Sequence, residues 1–386
     1  MPRASVSKLA SIAIFRTILL SFARVYWRPR LSEGSGPMPR GPCFLFGNHS
    51  NRWDPFVLNC FSPWACPTAG VMTREYFRRP FLRWALGSLD LQPARKRVVE
   101  PALVRAVHEL LKHGEAVVIY PEGGARWTGR PEPWIESSAK MFVRSGYPVY
   151  PVLMHGSYVT WPRWATYPRP GRIEVEIQPS ITFDPTDSPA DALERLKKSI
   201  SEDENIVEER LRPRWAYRPA DGIDRLLYRD PLTGEYGGLH VTDGTMVSNR
   251  DGSLRLRMLP DSRLVDDAAG EIHTTADLYE AIRRIPVVAN ADGVLVQNEV
   301  ALATEIEFPN LIDEGVAQAQ LRRDAVLLYG PQSRREIPLE RLQAVDIERN
   351  YKLQLTVPDQ MVQLSFTRGG SALAWKDAIA DLLDSP

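Results

Sequence analysis

The chain has 386 residues, of which 44% are hydrophobic and 25% charged, ordinary values for a folded globular protein. This length exceeds what one small hydrophobic core needs, so we expect two or more domains. Cys43, Cys60 and Cys66 are an odd number of cysteines without metal-ligand spacing, which argues against a disulfide framework and against a zinc site.

The charges are distributed unevenly, although 48 Lys and Arg balance 48 Asp and Glu. Residues 1–130 carry 19 basic and 8 acidic residues, an excess of 11, so the remainder carries the same excess of acidic residues. A basic first part favours contact with anions, such as phosphates or an acidic membrane surface. We expect no nucleic-acid partner.

The first predicted element is an apolar segment at the N-terminus. Leu9–Trp27 is largely apolar, but Arg16 and Arg24 interrupt every run that approaches the ~20 residues needed to span a bilayer. Terminal aromatic residues and nearby arginines are typical of a helix in the membrane interface. We therefore predict an interfacial helix over residues 1–30 and a peripheral, monotopic protein on the cytoplasmic face of a membrane. A helix docked on the protein's own surface is the alternative.

Residues 31–215 alternate between short apolar runs and segments with helical spacing. Strands are predicted at Cys43–Phe46, Ala69–Met72, Ala116–Tyr120, Val149–Met154 and Arg172–Ile177. Helices are predicted over Val99–His113 and Ser188–Leu211. Strands that alternate with helices favour a mainly parallel sheet flanked by helices, so we predict an α/β domain over this range.

The composition changes after Arg214. Residues 216–270 contain many Gly, Asp and Thr and no helical period appears before Ala276–Ile285, which predicts a small β-rich insert over residues 216–290. Further strand-like runs lie at Val294–Val296, Ala325–Tyr329, Leu353–Val357 and Met361–Phe366. An amphipathic helix over Ala372–Leu383 follows them, so we predict a separate β-rich domain over residues 291–386.

The loop between Gly47 and Pro55 holds the first candidate site. It follows an apolar strand, and α/β folds place their sites in such loops. His49 is suited to general base chemistry near neutral pH, and a carboxylate beside it would fix its tautomer. Asp54 lies five positions later and can meet His49 across a turn. A histidine followed by an aspartate is, by itself, weak evidence for function.

A second candidate segment, Tyr120–Arg126, follows the strand that begins at Ala116. Gly123 and Gly124 would let backbone N–H groups approach an anion, and the Arg126 guanidinium is suited to holding a phosphate. The segment also contains a carboxylate, Glu122. On its own it is equally compatible with an ordinary β-turn.

In this order, the two segments resemble the glycerolipid acyltransferase family, which includes lysophosphatidic acid acyltransferases. Asn48, His49 and Asp54 match the family's first block, Asn-His-x4-Asp. Tyr120–Gly123 matches its third block, Phe-Pro-Glu-Gly-Thr-Arg. Tyr147–Val152, followed by Gly156, matches its fourth block, an apolar strand with a proline. The resemblance covers roughly residues 40–215.

Two departures from the family pattern concern phosphate binding. Ala125 stands where the third block usually has an arginine, so Arg126 takes over that role only if the turn is re-registered. The second block is matched loosely by Gly87–Arg95. Arg95 and Arg97 are candidates for binding the acceptor phosphate there, and a solvated charge run is the alternative.

The resemblance implies a glycerol-3-phosphate acyltransferase-like fold and an enzyme of phospholipid synthesis. A fatty acyl group would pass from acyl-coenzyme A or acyl carrier protein to the hydroxyl of a lysophosphatidic acid-like acceptor, with His49 as general base and Asp54 orienting it. No metal or other cofactor is implied, because the thioester is already activated. The residues expected to bind substrate are Asn48, Glu122, Gly123, Gly124, Arg126, Arg95 and Arg97.

Three alternatives stay open: glycerol 3-phosphate as acceptor, a lyso-lipid with another headgroup, and a catalytically silent lipid-binding protein. Two resemblances concern the later regions. Asp230–Gly234 and Ser248–Gly252 resemble zinc-ribbon knuckles whose cysteines have been replaced, so we expect no structural zinc in the insert. The C-terminal strands, closed by a helix with Trp375, resemble a pleckstrin-homology or GRAM-type module.

Overall fold

A mainly parallel β-sheet organises the first part of the computed structural model, which describes residues 6–64, 66–95, 100–134, 137–331, 334–366 and 370–384. The chain divides into two compact units. The first comprises Met1–Arg163 and Pro168–Ala216, and the second comprises Trp164–Tyr167 and Tyr217–Pro386.

The first unit is an α/β layer structure. Its helices are α1 (Val6–Ile14), α2 (Leu20–Trp27), α3 (Asp54–Asn59), α4 (Pro80–Gly87), α5 (Pro101–Lys112), α6 (Ser137–Ser145), α7 (Ser157–Thr160) and α8 (Pro189–Ile200). Its strands are β1 (Arg30–Leu31), β2 (Cys43–Gly47), β3 (Ala69–Thr73), β4 (Leu91–Ala94), β5 (Ala116–Ile119), β6 (Val149–His155) and β7 (Glu174–Ile177).

Within the described residues the strands pair in the order β1-β7-β6-β2-β5-β3-β4. Every neighbouring pair is parallel except β6 and β7. The central strands β2 and β5 are apolar at almost every position, as expected for strands that are covered on both faces. The predicted mainly parallel α/β sheet is therefore confirmed.

Helices cover both faces of this sheet. On one face the core includes Val107 and Leu111 of α5, Phe142 of α6 and Leu196 of α8. On the other face the sheet packs against α2 and α3. Both sets follow from helical spacing, since residues three or four apart share one side of a helix. Because both faces are covered, polar side chains lie mainly on the loops at the two ends of the strands.

The N-terminal helix docks on the first unit through one side. A π-helical turn, Phe15–Leu19, joins α1 to α2. Leu20 and Trp27 are buried, and Arg16 donates hydrogen bonds to the Asn59 carbonyl and the Ser62 hydroxyl. By length and composition alone, Leu9–Trp27 is apolar enough to cross a membrane. The inner side of the helix thus packs on the protein itself, as the alternative prediction stated. Apolar residues on its outer side stay exposed.

The helix predicted over Ser188–Leu211 is shorter than expected. It begins at Pro189 and ends at Ile200, so the prediction is wrong for the residues that follow. Arg126 donates hydrogen bonds to the carbonyls of Ile200 and Glu202, which satisfies acceptors at the end of the helix. These tertiary contacts outweigh the local helical preference of the charged segment.

The second unit contains two antiparallel sheets. Its strands are β8 (Leu239–Thr242), β9 (Met246–Asn249), β10 (Arg255–Met258), β11 (Leu264–Asp266), β12 (Glu271–His273), β13 (Val296–Glu305), β14 (Ile312–Leu321), β15 (Ala325–Tyr329), β16 (Arg334–Pro338), β17 (Ala344–Glu348), β18 (Lys352–Val357) and β19 (Gln360–Ser365). Its helices are α9 (Thr275–Arg283) and α10 (Ala372–Asp384). Strands β8–β12 form a meander, and β13–β19 form a sheet of order β16-β15-β14-β13-β19-β18-β17.

The segment after α8 is also held by His155, at the end of β6. Its two ring nitrogens lie 3.0 Å from carboxylate oxygens of Glu202 and Glu176. The hydrogen bond to Glu202 is the largest cause, and together the two carboxylates raise the pKa of His155 from 6.5 to about 9 in spite of its burial. A histidine whose pKa is raised on folding stabilises the folded state below its unfolded pKa and loses this contribution as pH rises.

We therefore expect the free energy of unfolding to fall by about 2–3 kcal/mol between pH 6.5 and pH 9 because of His155. Urea unfolding of the wild type and of His155→Gln at both pH values measures this difference. His113→Gln, at an exposed position, is the matched control and should keep the wild-type pH dependence. An equal pH dependence in the wild type and in His155→Gln would contradict the expectation.

Candidate active site

The candidate residues meet at one edge of the parallel sheet. Strands β5, β2 and β6 are adjacent and parallel, so their carboxyl ends lie side by side. The loop from Gly47 to Pro55, here the His49 loop, follows β2. The turn Tyr120–Arg126, here the Tyr120 turn, follows β5, and Gly156 follows β6. The first, third and fourth sequence blocks are therefore brought together, as expected for loops at the carboxyl ends of parallel strands.

His49 and Asp54, which were predicted to meet, are in direct contact. His49 Nδ1 lies 2.8 Å from Asp54 Oδ2. The His49 side chain is 17% exposed, whereas Asp54 is fully buried. A proton on Nδ1 that is donated to Asp54 leaves the lone pair on Nε2. The arrangement therefore presents Nε2 as the base of the pair.

Asp54 is held by more donors than His49 alone. Its Oδ2 accepts the backbone N–H groups of Ser50 at 2.8 Å and Asn51 at 2.9 Å. Its Oδ1 accepts the hydroxyl of Ser157, in the first turn of α7. Two N–H groups and a hydroxyl thus supply hydrogen-bond donors to this buried carboxylate. Asp54 is also the first residue of α3, where the helix dipole favours a negative charge.

The Tyr120 turn fixes His49 from the other side. The Tyr120 ring stacks on the His49 ring, with centroids 4.3 Å apart and an interplanar angle of 24°. The backbone N–H of Arg126 donates to the His49 carbonyl at 2.8 Å. These contacts restrain both the ring and the backbone of the histidine.

Glu122 and Arg126 form a buried ion pair. Both side chains are fully buried, and the two are joined by three N···O contacts of 2.8–3.0 Å. Burial raises the pKa of the Glu122 carboxyl, and Arg126 opposes this effect. The remaining donors of Arg126 reach backbone carbonyls, including that of Gly129. The geometry gives this pair an internal role, and substrate contacts by Glu122 and Arg126 stay predictions.

The two glycines of the turn have different structural reasons. Gly123 has φ of 67°, a conformation that L side chains rarely adopt, and its N–H donates to the Tyr120 carbonyl. At Gly124 a Cβ atom would lie 3.2 Å from Nη1 of Arg163, which donates to the Ala125 carbonyl. Anion binding by the backbone N–H of Gly124 stays a prediction.

Arg95 lies on the same sheet edge but away from His49. It follows β4, three strands from β2, which corresponds to roughly 14 Å at the usual strand spacing. Its Nε is 3.6 Å from a carboxylate oxygen of Glu100, and the side chain is largely exposed. Arg97 lies outside the described residues. The substrate role predicted for these two arginines stays a prediction.

Asn48 has a structural task next to His49. Its side-chain carbonyl accepts the Met154 N–H at 2.9 Å, and its amide donates to Glu204 Oε1 at 2.8 Å. Glu204 and Ser157 were missed by sequence reasoning. Ser157 follows the glycine of the fourth block, which is a local signal, whereas nothing in the sequence near Glu204 marks it.

Comparison with known proteins identifies the class of the first unit. Residues 30–155 match the family model described as acyltransferase. These residues are thus similar to acyltransferases, in agreement with the resemblance that the first and third blocks carry.

Its relatives include 1-acyl-sn-glycerol-3-phosphate acyltransferases. The Pseudomonas aeruginosa protein of this name is 31% identical over 154 residues, which is 39% of this chain and 58% of that protein. The Limnanthes douglasii protein is 23% identical over 42% of this chain and 57% of its own length. The chain thus spans less than two thirds of these relatives. The crystal structure of the Thermotoga maritima 1-acyl-sn-glycerophosphate acyltransferase, PlsC, aligns over 50% of this chain and 78% of that chain, with 22% identity and a TM-score of 0.41.

The buried ion pair makes a stability prediction. Arg126→Met leaves the buried carboxylate of Glu122 unpaired, and we expect the free energy of unfolding to fall by about 3–5 kcal/mol. Arg130→Met is the matched control, because Arg130 pairs with Asp203 where both side chains are partly exposed, and solvent-accessible pairs contribute about 0–1 kcal/mol. Urea unfolding measures both. An Arg126→Met protein as stable as the control would contradict the internal role.

Proposed function

We propose that the protein transfers a fatty acyl group from an acyl thioester to the hydroxyl of a lysophosphatidic acid-like acceptor. The observation that carries the proposal is the contact of His49 Nδ1 with buried Asp54, which leaves Nε2 as a base beside the third-block turn. The acyltransferase match over residues 30–155 supports this class of reaction.

The proposed step is direct transfer. His49 Nε2 takes the proton of the acceptor hydroxyl while that oxygen attacks the thioester carbonyl carbon. The carbon–sulfur bond then breaks, and the leaving thiolate takes up the proton. Asp54 stabilises the imidazolium that forms, and general base catalysis of this kind contributes about 10²–10⁴ to the rate. We assign the stabilisation of negative charge on the carbonyl oxygen to the Gly124 N–H.

We assign the acceptor phosphate to arginines beside the His49 loop rather than to Arg126. Arg52 lies in the loop itself, where its guanidinium stacks on Trp161 with 4.6 Å to the ring centroid. Its Nη2 also approaches the Arg163 carbonyl at 3.4 Å, so the two arginines are neighbours. Arg163 in turn covers Gly124. Guanidinium groups bind phosphate oxygens in a bidentate manner, which suits a phosphate site beside the His49 loop.

The reaction is tested by incubating the purified protein with a panel of acceptors and a labelled acyl donor. The donor is either acyl-coenzyme A or acylated acyl carrier protein. We expect transfer to lysophosphatidic acid, and a loss of about 10²-fold or more in kcat for His49→Ala and for Asp54→Asn. His108→Ala, a change at a histidine outside the site, should remain active. Transfer to glycerol 3-phosphate or to another lyso-lipid would change the assigned acceptor. A folded protein without any transfer would favour a lipid-binding protein.

We further propose that the first unit binds a membrane through the outer side of the N-terminal helix together with α4. Ile18 is 62% exposed, Val25 is 76% exposed, and Phe81 of α4 is 67% exposed. The two helices touch, since the hydroxyls of Ser88 and Ser11 are 2.6 Å apart. Exposed arginines of this region, Arg24, Arg28, Arg79 and Arg83, would attract anionic lipid headgroups.

Vesicle co-sedimentation tests this surface. Ile18→Asp combined with Val25→Asp should weaken binding to vesicles by about tenfold or more, because two apolar contacts are lost. Val288→Asp is the control, at an exposed apolar position of the second unit. Vesicles of phosphatidylcholine with phosphatidylglycerol should bind more protein than phosphatidylcholine alone. Equal binding by the double variant and the control would contradict the proposal.

For residues 291–386 we propose a pleckstrin-homology or GRAM-type module. What supports it is the order of elements, in which antiparallel strands β13–β19 are followed by the closing helix α10. The degenerate zinc ribbon predicted for residues 216–290 stays a prediction. Strands β8–β12 of this region form an antiparallel meander.

A further inference from the structure

Glu204 is a buried carboxylate directly beneath the His49 loop. Its side chain is fully buried. Oε1 accepts the Asn48 amide at 2.8 Å and the Ser50 hydroxyl, and Oε2 accepts the backbone N–H of Tyr158 at 2.9 Å. A buried carboxylate is costly unless it is paired and hydrogen-bonded, and these contacts supply several partners.

The contacts of Glu204 surround the candidate base without touching it. Asn48 and Ser50 are the residues immediately before and after His49, and both donate to the same oxygen. Arg126, whose N–H holds the His49 carbonyl, lies with Nη1 3.5 Å from Glu204 Oε1. The Glu204 carboxylate therefore restrains the backbone on both sides of His49 and also contacts the Tyr120 turn.

Glu204 comes from a part of the chain that neither the motifs nor the family match include. It lies 154 residues after Ser50 and beyond residues 30–155. The segment reaches the site because α8 ends at Ile200, and the Glu204 N–H donates to the Gly129 carbonyl. The early end of α8 thus has a consequence at the site, since it delivers this carboxylate.

We propose that Glu204 is a positioning residue for the base His49, acting through Asn48 and Ser50. The proposal rests on the acyl transfer proposed above. Asp54 sets the tautomer and direction of the imidazole, and Glu204 sets the backbone that carries it. Displacement of a catalytic group by about 1 Å can reduce a rate by about 10²-fold, so such a restraint affects catalysis directly.

The charge of Glu204 matters for this role. Burial raises the pKa of its carboxyl to about 7, while Arg126, the Ser50 hydroxyl and the Tyr158 N–H favour the charged form. Hydrogen bonds to a charged acceptor are roughly twice as strong as those between neutral groups. A glutamine at this position keeps only one acceptor oxygen. Its amide group replaces the other oxygen, so its N–H groups would face a group that itself donates a hydrogen bond. It would also leave Arg126 with less compensating charge.

The test separates kcat from KM in Glu204→Gln. We expect kcat to fall by about 10–100-fold, with KM for thioester and acceptor within about threefold of wild type, because the base is displaced while the substrate contacts remain. Glu202→Gln is the matched control, since this carboxylate lies in the same segment but contacts His155. It should keep wild-type kcat. An unchanged kcat in folded Glu204→Gln, at a temperature well below its midpoint, would overturn the proposal.

Ser50→Ala provides a second variant should Glu204→Gln not fold. It removes one donor to Glu204 and leaves the carboxylate in place, and kcat should fall by about 3–10-fold. In the double variant Ser50→Ala, Glu204→Gln, kcat should be no lower than in Glu204→Gln alone, because both changes break the same connection. Full additivity of the two effects, or a wild-type kcat in Ser50→Ala, would overturn the proposal.

A readout without catalysis separates this proposal from the proposed function. The rate at which diethyl pyrocarbonate modifies His49, followed by mass spectrometry of its peptide, reports how firmly the loop holds the ring. We expect about tenfold faster modification in Glu204→Gln than in the wild type or Glu202→Gln, since the loop opens more often. A wild type without acyl transfer would remove the proposed function alone. An unchanged modification rate would remove the positioning role.

Discussion

The buried carboxylate of Asp54 is the interaction on which the site depends. It lies at the start of α3 and accepts hydrogen bonds from the Ser50 and Asn51 backbone and from the Ser157 hydroxyl, with His49 Nδ1 as a further partner. Without these partners a carboxylate in such a place would be costly to bury. With them, hydrogen bonds hold the loop after β2, and His49 turns Nδ1 to Asp54, so that Nε2 is directed away from this carboxylate. The chemistry proposed for the protein requires that direction.

The parallel sheet supplies the frame for this loop. Because β5, β2 and β6 end at one edge, three sequence blocks separated by many residues share one small region. Beneath them, Glu122, Arg126 and Glu204 form a buried ionic network that joins the turn after β5 to the segment after α8. Arg126, which was predicted to hold a phosphate, is part of this buried network. Beside the His49 loop lie Arg52 and Arg163, whose guanidinium groups lie on the rings of Trp161 and Trp127.

The sequence was sufficient for features that depend on local pattern. Apolar runs predicted most strands of the first unit to within one or two residues, because covered parallel strands are apolar on both faces. The contact of His49 with Asp54 was predictable because five positions and a turn separate them. The end of α8 and the contacts of Glu204 were not, since they depend on partners that lie between 46 and 156 residues away in sequence. Strand β14 was also missed, because apolar and polar side chains alternate too weakly along it.

The tautomer of His49 tests the central claim most directly. Nuclear magnetic resonance of the protein with ¹⁵N-labelled histidine, assigned by the signal that disappears in His49→Ala, distinguishes the two ring nitrogens. In the neutral state we predict a proton on Nδ1, shifted downfield by its hydrogen bond to Asp54, and an unprotonated Nε2. A neutral ring with its proton on Nε2 would contradict the account, because the nitrogen directed at the substrate would then have no lone pair to accept a proton.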